Sequence, residues 1–269
     1  MQDNHKDIKI YGVIGNPISH SISPKIHNKW IEDNNLKAFY TPLLIENINN
    51  FVQNLKFLPS FGFCGVNVTI PYKEKAFEIC DELNYDAKII KAVNCIKFQN
   101  NKIIGYNTDH FGFFEALKIK NLTNLKNKNA IVIGAGGASR AIVYSLTNNN
   151  YNIDIYNRTI DKLHNIKQDF NVNILQFSNL KDINLEKYSL IINTTSVGLK
   201  DELLDINYKS LQQNTICYDI IYKKNGLTKF LQQSQEKNCK IIDGILMLYL
   251  QAAKSFYIWN DIFPKIEIS

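Results

Sequence analysis

Arginine is almost absent from this chain. Of its 31 basic side chains only Arg140 and Arg158 are arginines; the rest are lysines. Lysine therefore serves wherever a generic positive charge is enough. Arginine is kept for places that need a planar, two-pronged grip on a phosphate or carboxylate. Cysteine is sparse as well. The five thiols (Cys64, Cys80, Cys95, Cys217 and Cys239) are odd in number and widely spaced, with no CxxC pair. That excludes a zinc-ribbon pattern and a disulfide framework, and leaves reduced, buried thiols. The five histidines form no HExxH motif, so no metal is expected. No stretch approaches the roughly 20 apolar residues of a membrane span. The opening segment MQDNHKDIKIYGVIG lacks the basic-then-apolar layout of a signal peptide. A cytoplasmic protein without membrane contact is the expectation. The net charge of +6 is spread along the chain rather than clustered, so no nucleic-acid surface is indicated either.

What the chain does have is enough apolar material for a core. Its 269 residues are 45% hydrophobic and 21% charged, which suits two domains of about 130 residues each. Strand-like runs alternate with helical patterns. Ile8–Ile14, Ala38–Leu44 and Phe63–Val68 read as strands, followed in turn by helices at Pro24–Asp33, Asn47–Phe57 and Tyr72–Cys80. Two short strands come next, near Val93–Phe98 and Lys102–Tyr106. This alternation implies βαβ units and an α/β fold with a mostly parallel sheet. The polar segment KNLTNLKNKN at 120–129 marks a junction. A second series follows: strand Ala130–Ile133, helix Ala141–Leu146, strand Ile153–Tyr156, helix Asp161–Asp169, and strands Leu190–Asn193 and Ile216–Asp219. The apolar helix Gly244–Trp259 is expected to pack back onto the first domain.

The segment IVIGAGGASRA at 131–141 carries the clearest chemical signal. A strand ends at Gly134, glycines follow at 136 and 137, and a helix starts. Gly134 permits the tight turn, Gly136 lets a pyrophosphate approach the backbone, and the helix N-terminus offers amides to phosphate. Ser139 stands where the dinucleotide fingerprint has its third Gly or Ala. About 20 residues on, NAD-binding folds place an acid for the ribose 2′-hydroxyl. Here the chain reads Tyr156-Asn157-Arg158-Thr159, with Lys162 one helical turn further. A cation in place of an acid favours a 2′-phosphate, hence NADP over NAD. On this reading both arginines of the chain lie at phosphate-binding turns.

Four loops in the first half hold polar groups, and three of them lead into helices. Gly15–Asn28 places hydroxyls at Ser21 and Ser23, with Ser23 as N-cap and Pro24 at the first helical position. Asn67–Glu74 puts Lys73 in the first turn of a helix, where the dipole disfavours an idle cation. Ala92-Val93-Asn94-Cys95 and Gly105-Tyr106-Asn107-Thr108-Asp109 follow, and Asp109 is also placed to cap the next helix. These loops, with the glycine turn and the segments Asn193–Gly198, Tyr218–Tyr222, Asp243–Leu248 and Gln251-Ala252-Ala253, resemble the shikimate dehydrogenase family over nearly the whole chain.

The resemblance implies a substrate-binding domain over residues 1–109 plus 240–269. It implies a Rossmann-like NADP-binding domain over 110–239, and an active site in the cleft between the two. It implies NADPH-dependent, reversible reduction of 3-dehydroshikimate to shikimate, a step toward chorismate and the aromatic amino acids, by a monomer or homodimer. Lys73 and Asp109 become the catalytic pair, also in contact with substrate. Ser21, Ser23 and Tyr222 hold the substrate carboxylate, and Thr69, Asn94 and Gln251 its hydroxyls. Gly134, Gly136, Gly137, Ala138, Asn157, Arg158, Thr159, Lys162, Thr194, Gly244 and Met247 line the cofactor. Lys91 replaces a usual Gly, Lys162 a usual second Arg, and Thr228-Lys229 a usual Thr-Pro. The alternatives are an NAD-dependent quinate/shikimate dehydrogenase, against which Arg158 speaks, and a non-catalytic NADP-binding regulator, against which the presence of both Lys73 and Asp109 speaks.

Overall fold

The computed structural model describes residues 8–268. Internal contacts divide the chain into two compact units. One runs up to Thr108 and takes in everything from Tyr249 onward; the other is Asp109–Leu248. The return to the first unit thus falls at 249 rather than at 240. The reason is that Lys240–Ile242 forms a strand hydrogen-bonded to Ile216–Asp219 in the second unit.

The first unit contains β1 (Lys9–Gly15), α1 (Ser23–Asp33), β2 (Ala38–Leu44), α2 (Ile48–Phe57), β3 (Phe63–Val68), α3 (Lys73–Ile79), β4 (Glu82–Leu83), α4 (Tyr85–Ile90), β5 (Cys95–Gln99) and β6 (Lys102–Tyr106). Its sheet has the order β2-β1-β3-β5-β6-β4. The β2, β1 and β3 strands are parallel, as the βαβ alternation demands, whereas β5 runs antiparallel to both β3 and β6. Antiparallel pairing of β5 with β6 follows from the chain between them: only Asn100 and Asn101 intervene, both at positive φ, the backbone a two-residue hairpin turn requires. Neither β4 nor α4 is long enough to show a period in sequence. The α4 helix ends on Lys91 at φ 56°, a left-handed cap at which a side chain costs strain that a glycine would avoid.

The second unit contains α5 (Asp109–Ile119), β7 (Asn129–Ile133), α6 (Gly137–Thr147), β8 (Asn152–Tyr156), α7 (Asp161–Asp169), β9 (Asn173–Ile174), β10 (Leu190–Asn193), β11 (Ile216–Asp219), α8 (Lys229–Glu236) and β12 (Lys240–Ile242). All its strands are parallel, in the order β12-β11-β10-β7-β8-β9. That is the doubly wound order, with its switch point between β7 and β10. Thr228 caps α8, its hydroxyl donating to buried Asp219 Oδ2 at 2.7 Å. Lys229 therefore fills the first helical position without the pre-set φ of a proline.

The last helix, α9 (Ile245–Asn260), ends in the first unit. Trp259 stacks on Tyr11 with ring centroids 4.9 Å apart, and its indole N–H donates to the Ile96 carbonyl at 2.9 Å. The indole fits only because residue 65 is glycine: a Cβ there would lie 2.3 Å from Trp259 Nε1. As expected from its apolar sequence, the helix packs on the sheet of the first unit, and this packing is what carries Gln251 to that sheet.

Candidate active site

In the first unit Ser21, Ser23, Thr69 and Lys73 sit in the loops and helix starts that follow the carboxyl ends of the parallel strands β1 and β3, Asn94 directly precedes β5, and Gln251 is on α9. The loops after β1 and β3 are at the usual ligand positions of open α/β sheets. The two loops are tied together: Asn16 N donates to Ile70 O at 3.0 Å and Thr69 N to Ile14 O at 2.9 Å. Gly15 makes the close approach possible, since a Cβ on it would meet Thr69 Cγ2 at 2.4 Å. Half-buried Lys73 is the first residue of α3, and its carbonyl accepts from Val93 N at 2.9 Å. Next to that bond, Val68 N donates to Asn94 O, also at 2.9 Å. The helix start that bears Lys73 is thus fixed beside Asn94.

Asn94 belongs to a buried polar network. Its Nδ2 donates to Thr108 Oγ1 at 2.9 Å and to Gln251 Oε1 at 3.2 Å, while its Oδ1 accepts from Thr108 N at 2.6 Å. Asn67 joins from β3: Nδ2 donates to Asn94 O at 3.0 Å and to Ser255 Oγ at 2.9 Å, and Oδ1 accepts from the Tyr40 hydroxyl at 2.8 Å. Asn67, Thr108 and Ser255 were not singled out by sequence reasoning. Asn67 and Thr108 stand inside the Asn67–Glu74 and Gly105–Asp109 loops, and Ser255 lies four residues from Gln251 on one face of α9.

The serine loop differs from expectation in one detail. Ile22, not Ser23, is the N-cap residue of α1, and no side chain caps it in the usual way. Ser23 is already helical and buried. It is Ser21 Oγ that accepts from Ser23 N, at 3.3 Å. The backbone at Ile22 is helical in φ and ψ, so the helix begins at Ser23, one residue earlier than a Ser23 cap would set it.

The second unit holds the remaining candidates. Buried Asp109 is the first residue of α5 and half-buried Tyr222 follows β11. The glycine turn lies at the switch point. Gly134 has φ +120°, and Gly134 N donates to Tyr156 O at 2.8 Å. Thr194, after β10, donates through Oγ1 to Ile133 O at 2.8 Å. Gly136 is the N-cap of α6 with no side-chain cap, and a Cβ on it would meet nothing within 4 Å. An uncapped helix start with open space over a glycine fits a pyrophosphate. The Ser139 hydroxyl, fully buried, donates to Gly134 O at 2.7 Å. A serine at the third fingerprint position therefore braces the turn from beneath. Gly137 and Ala138 form the first turn of α6.

At the end of β8, Asn157 Nδ2 donates to Thr159 O at 2.8 Å, shaping the turn that exposes Arg158 and Thr159. Lys162 is exposed on α7. Arg140 does not share this role. It is 5% exposed, ion-paired with Asp169 and stacked over Phe170 at 5.6 Å. Its position on α6 turns it back toward the end of α7, so of the two arginines only Arg158 is exposed, at the turn after β8. Gly244 has a packing reason of its own, because a Cβ there would lie 2.0 Å from Ile220 O. Met247 is buried on α9. Among the described residues no group of three or more His, Cys, Asp or Glu side chains could hold a metal ion, and no helix is long and apolar enough to cross a membrane.

The family model for the shikimate dehydrogenase substrate binding domain matches residues 13–96, and that for shikimate / quinate 5-dehydrogenase matches residues 116–220. A shikimate dehydrogenase (NADP(+)) from Methanococcus aeolicus is 38% identical, over 97% of this chain and 95% of its own. The chain belongs to the shikimate dehydrogenase family. The crystal structure of shikimate dehydrogenase from Aquifex aeolicus superposes with a TM-score of 0.88 at 37% identity, over 96% of this chain and 94% of that one. A family member from Thermus thermophilus, crystallised with NADP(H) and shikimate, has a TM-score of 0.84 at 29% identity, with 95% of each chain covered.

Proposed function

We propose that this family member is an NADP-dependent shikimate dehydrogenase, interconverting 3-dehydroshikimate and shikimate. The observation that carries the reading is the hydrogen-bonded frame of the first unit, which ties the Thr69 loop to β1, the Lys73 carbonyl to Val93 beside Asn94, and the Asn94 amide to Gln251. A cyclic polyol with a carboxylate needs the ammonium, hydroxyl and amides that these residues carry. Full-length similarity to NADP(+)-dependent shikimate dehydrogenases supports it.

In this reading the Ser21 and Ser23 hydroxyls, with Tyr222, hold the carboxylate, and Thr69, Asn94 and Gln251 hold the ring hydroxyls. The glycine turn at 134–138, Asn157, Arg158, Thr159, Lys162, Thr194, Gly244 and Met247 hold NADP, whose nicotinamide supplies or accepts the hydride. Lys73 donates a proton to the ketone oxygen as negative charge develops there, and takes it back in the reverse direction. Asp109 orients the Lys73 ammonium and shares the hydrogen bonding to the same oxygen. Arg158 sets the preference for the 2′-phosphate. The localisation that goes with this reading is cytoplasmic, and the oligomer a monomer or homodimer.

The test is direct. Purified protein with shikimate and NADP+ should produce reduced nicotinamide, followed by absorbance. No turnover overturns the reading. Faster turnover with NAD+ than with NADP+ would favour the quinate/shikimate alternative.

A further inference from the structure

Thr108 sits one residue before Asp109 and is 1% exposed. It grips both ends of one amide. Its backbone N–H donates to Asn94 Oδ1 at 2.6 Å, and its hydroxyl oxygen accepts from Asn94 Nδ2 at 2.9 Å. A flipped Asn94 amide would set N–H against N–H, so Thr108 fixes which way Asn94 faces. Asn94 Nδ2 also donates to Gln251 Oε1 at 3.2 Å, and the Thr108 hydroxyl lies 3.4 Å from the same oxygen. The side-chain oxygen of Gln251 is therefore held against Asn94 and Thr108. Ser255 backs the arrangement: its hydroxyl is 3.2 Å from Thr108 Oγ1, donates to Gln251 O at 3.0 Å, and accepts from Asn67 Nδ2 at 2.9 Å.

We propose that Thr108, backed by Ser255, is a positioning residue that sets the orientation of the Asn94 and Gln251 amides, so that Gln251 meets substrate as a hydrogen-bond donor. The proposal rests on the reading of Gln251 as a ligand of the substrate hydroxyls. The group it faces is then an oxygen acting as acceptor. Neither Thr108 nor Ser255 needs to touch substrate; both act by holding an amide that would otherwise turn over. A hydroxyl-bearing substrate contacted by a misoriented amide loses binding in ground state and transition state alike. The loss therefore belongs in KM rather than in kcat.

The test compares Thr108→Val, which removes only the hydroxyl, with Thr108→Ser, which keeps it. The valine should raise KM for shikimate by about tenfold or more, the worth of one well-placed buried hydrogen bond. It should leave kcat within about threefold and KM for NADP+ unchanged, and the serine should restore KM. In a Gln251→Ala background the valine should add little, because the amide it orients is gone. Should the valine variant not fold, Ser255→Ala carries the test, with KM for shikimate expected to rise and KM for NADP+ not. Wild-type turnover together with an unchanged shikimate KM in whichever of these variants folds overturns the proposal alone. So does full additivity with Gln251→Ala. Absence of shikimate turnover by the wild type overturns the functional reading and the proposal together.

Discussion

Thr194 occupies the space that any side chain on Gly134 would need: a Cβ at 134 would lie 2.3 Å from Thr194 Oγ1, which is itself fixed by its 2.8 Å bond to Ile133 O. The two residues come from opposite sides of the switch point, after β10 and β7. Gly134 is also at φ +120°, where an L side chain is strained regardless of space. Gly134→Ala should therefore weaken NADP+ binding by at least about tenfold and destabilise the second unit by roughly 2–4 kcal/mol, from backbone strain plus overpacking. Cofactor titration and thermal unfolding check both. An alanine variant with wild-type affinity would show that the turn does not hold the pyrophosphate.

The two arginines should separate cleanly. Arg158→Ala should raise KM for NADP+ about tenfold or more, with a much smaller effect for NAD+, and should change stability by no more than about 0.5 kcal/mol, as exposed substitutions do. Arg140→Met should do the reverse. It removes the ion-pair partner of Asp169 in a site where the two side chains are only 7% and 14% exposed, at a cost of about 3 kcal/mol. Its NADP+/NAD+ preference should stay at the wild-type ratio. Steady-state kinetics with both cofactors, alongside melting curves, measures each. A cofactor-specific loss in Arg140→Met would return that residue to the phosphate site.

Lys73→Ala should lower kcat by roughly 10²–10⁴, the usual worth of a positioned acid–base group. Its melting temperature should hardly change, because a half-buried cation in the first turn of α3 contributes little to that helix. Asp109→Ala should also cut activity, and the double variant should lose less than the product of the two single losses. Strict additivity would mean that the two side chains work independently.

His27 makes acid stability a readable quantity. Its ring is 1% exposed and stacks on Tyr40 at 4.2 Å, and neither nitrogen has a hydrogen-bond partner. Burial holds its pKa down to about 3. An unfolded histidine titrates near 6.5. The neutral ring therefore contributes stability that is full above about pH 6.5 and is lost as pH falls toward 3, by at most about 5 kcal/mol. His27→Phe keeps a flat ring and removes the titration. Urea unfolding of both proteins at several values between pH 7 and 4 should show the variant gaining on the wild type as pH falls. A constant difference across that range would mean that His27 binds its proton equally well in the folded and unfolded chain.

Much of this protein is determined locally and is legible from the chain alone. Alternating β and α patterns, the glycine turn at 134–137 with its strand before and helix after, the Asn157-Arg158-Thr159 turn and the loop bearing Lys73 all express backbone geometry and capping over a few residues. The family follows from their order. The tertiary structure decided what depends on partners distant in sequence. Arg140 looked like a phosphate ligand until Asp169, on the next helix, claimed it. Ser23 reads as a cap in the sequence, but Ile22 is the N-cap and Ser23 the first helical residue. The frame around Asn94 joins residues 40, 67, 108, 251 and 255, brought together only when α9 returns across the first sheet and Trp259 seats over Gly65. Sequence periodicity shows that such a helix has an apolar face. Which buried donor meets which acceptor is settled by packing, because a buried amide takes whichever orientation satisfies both its ends.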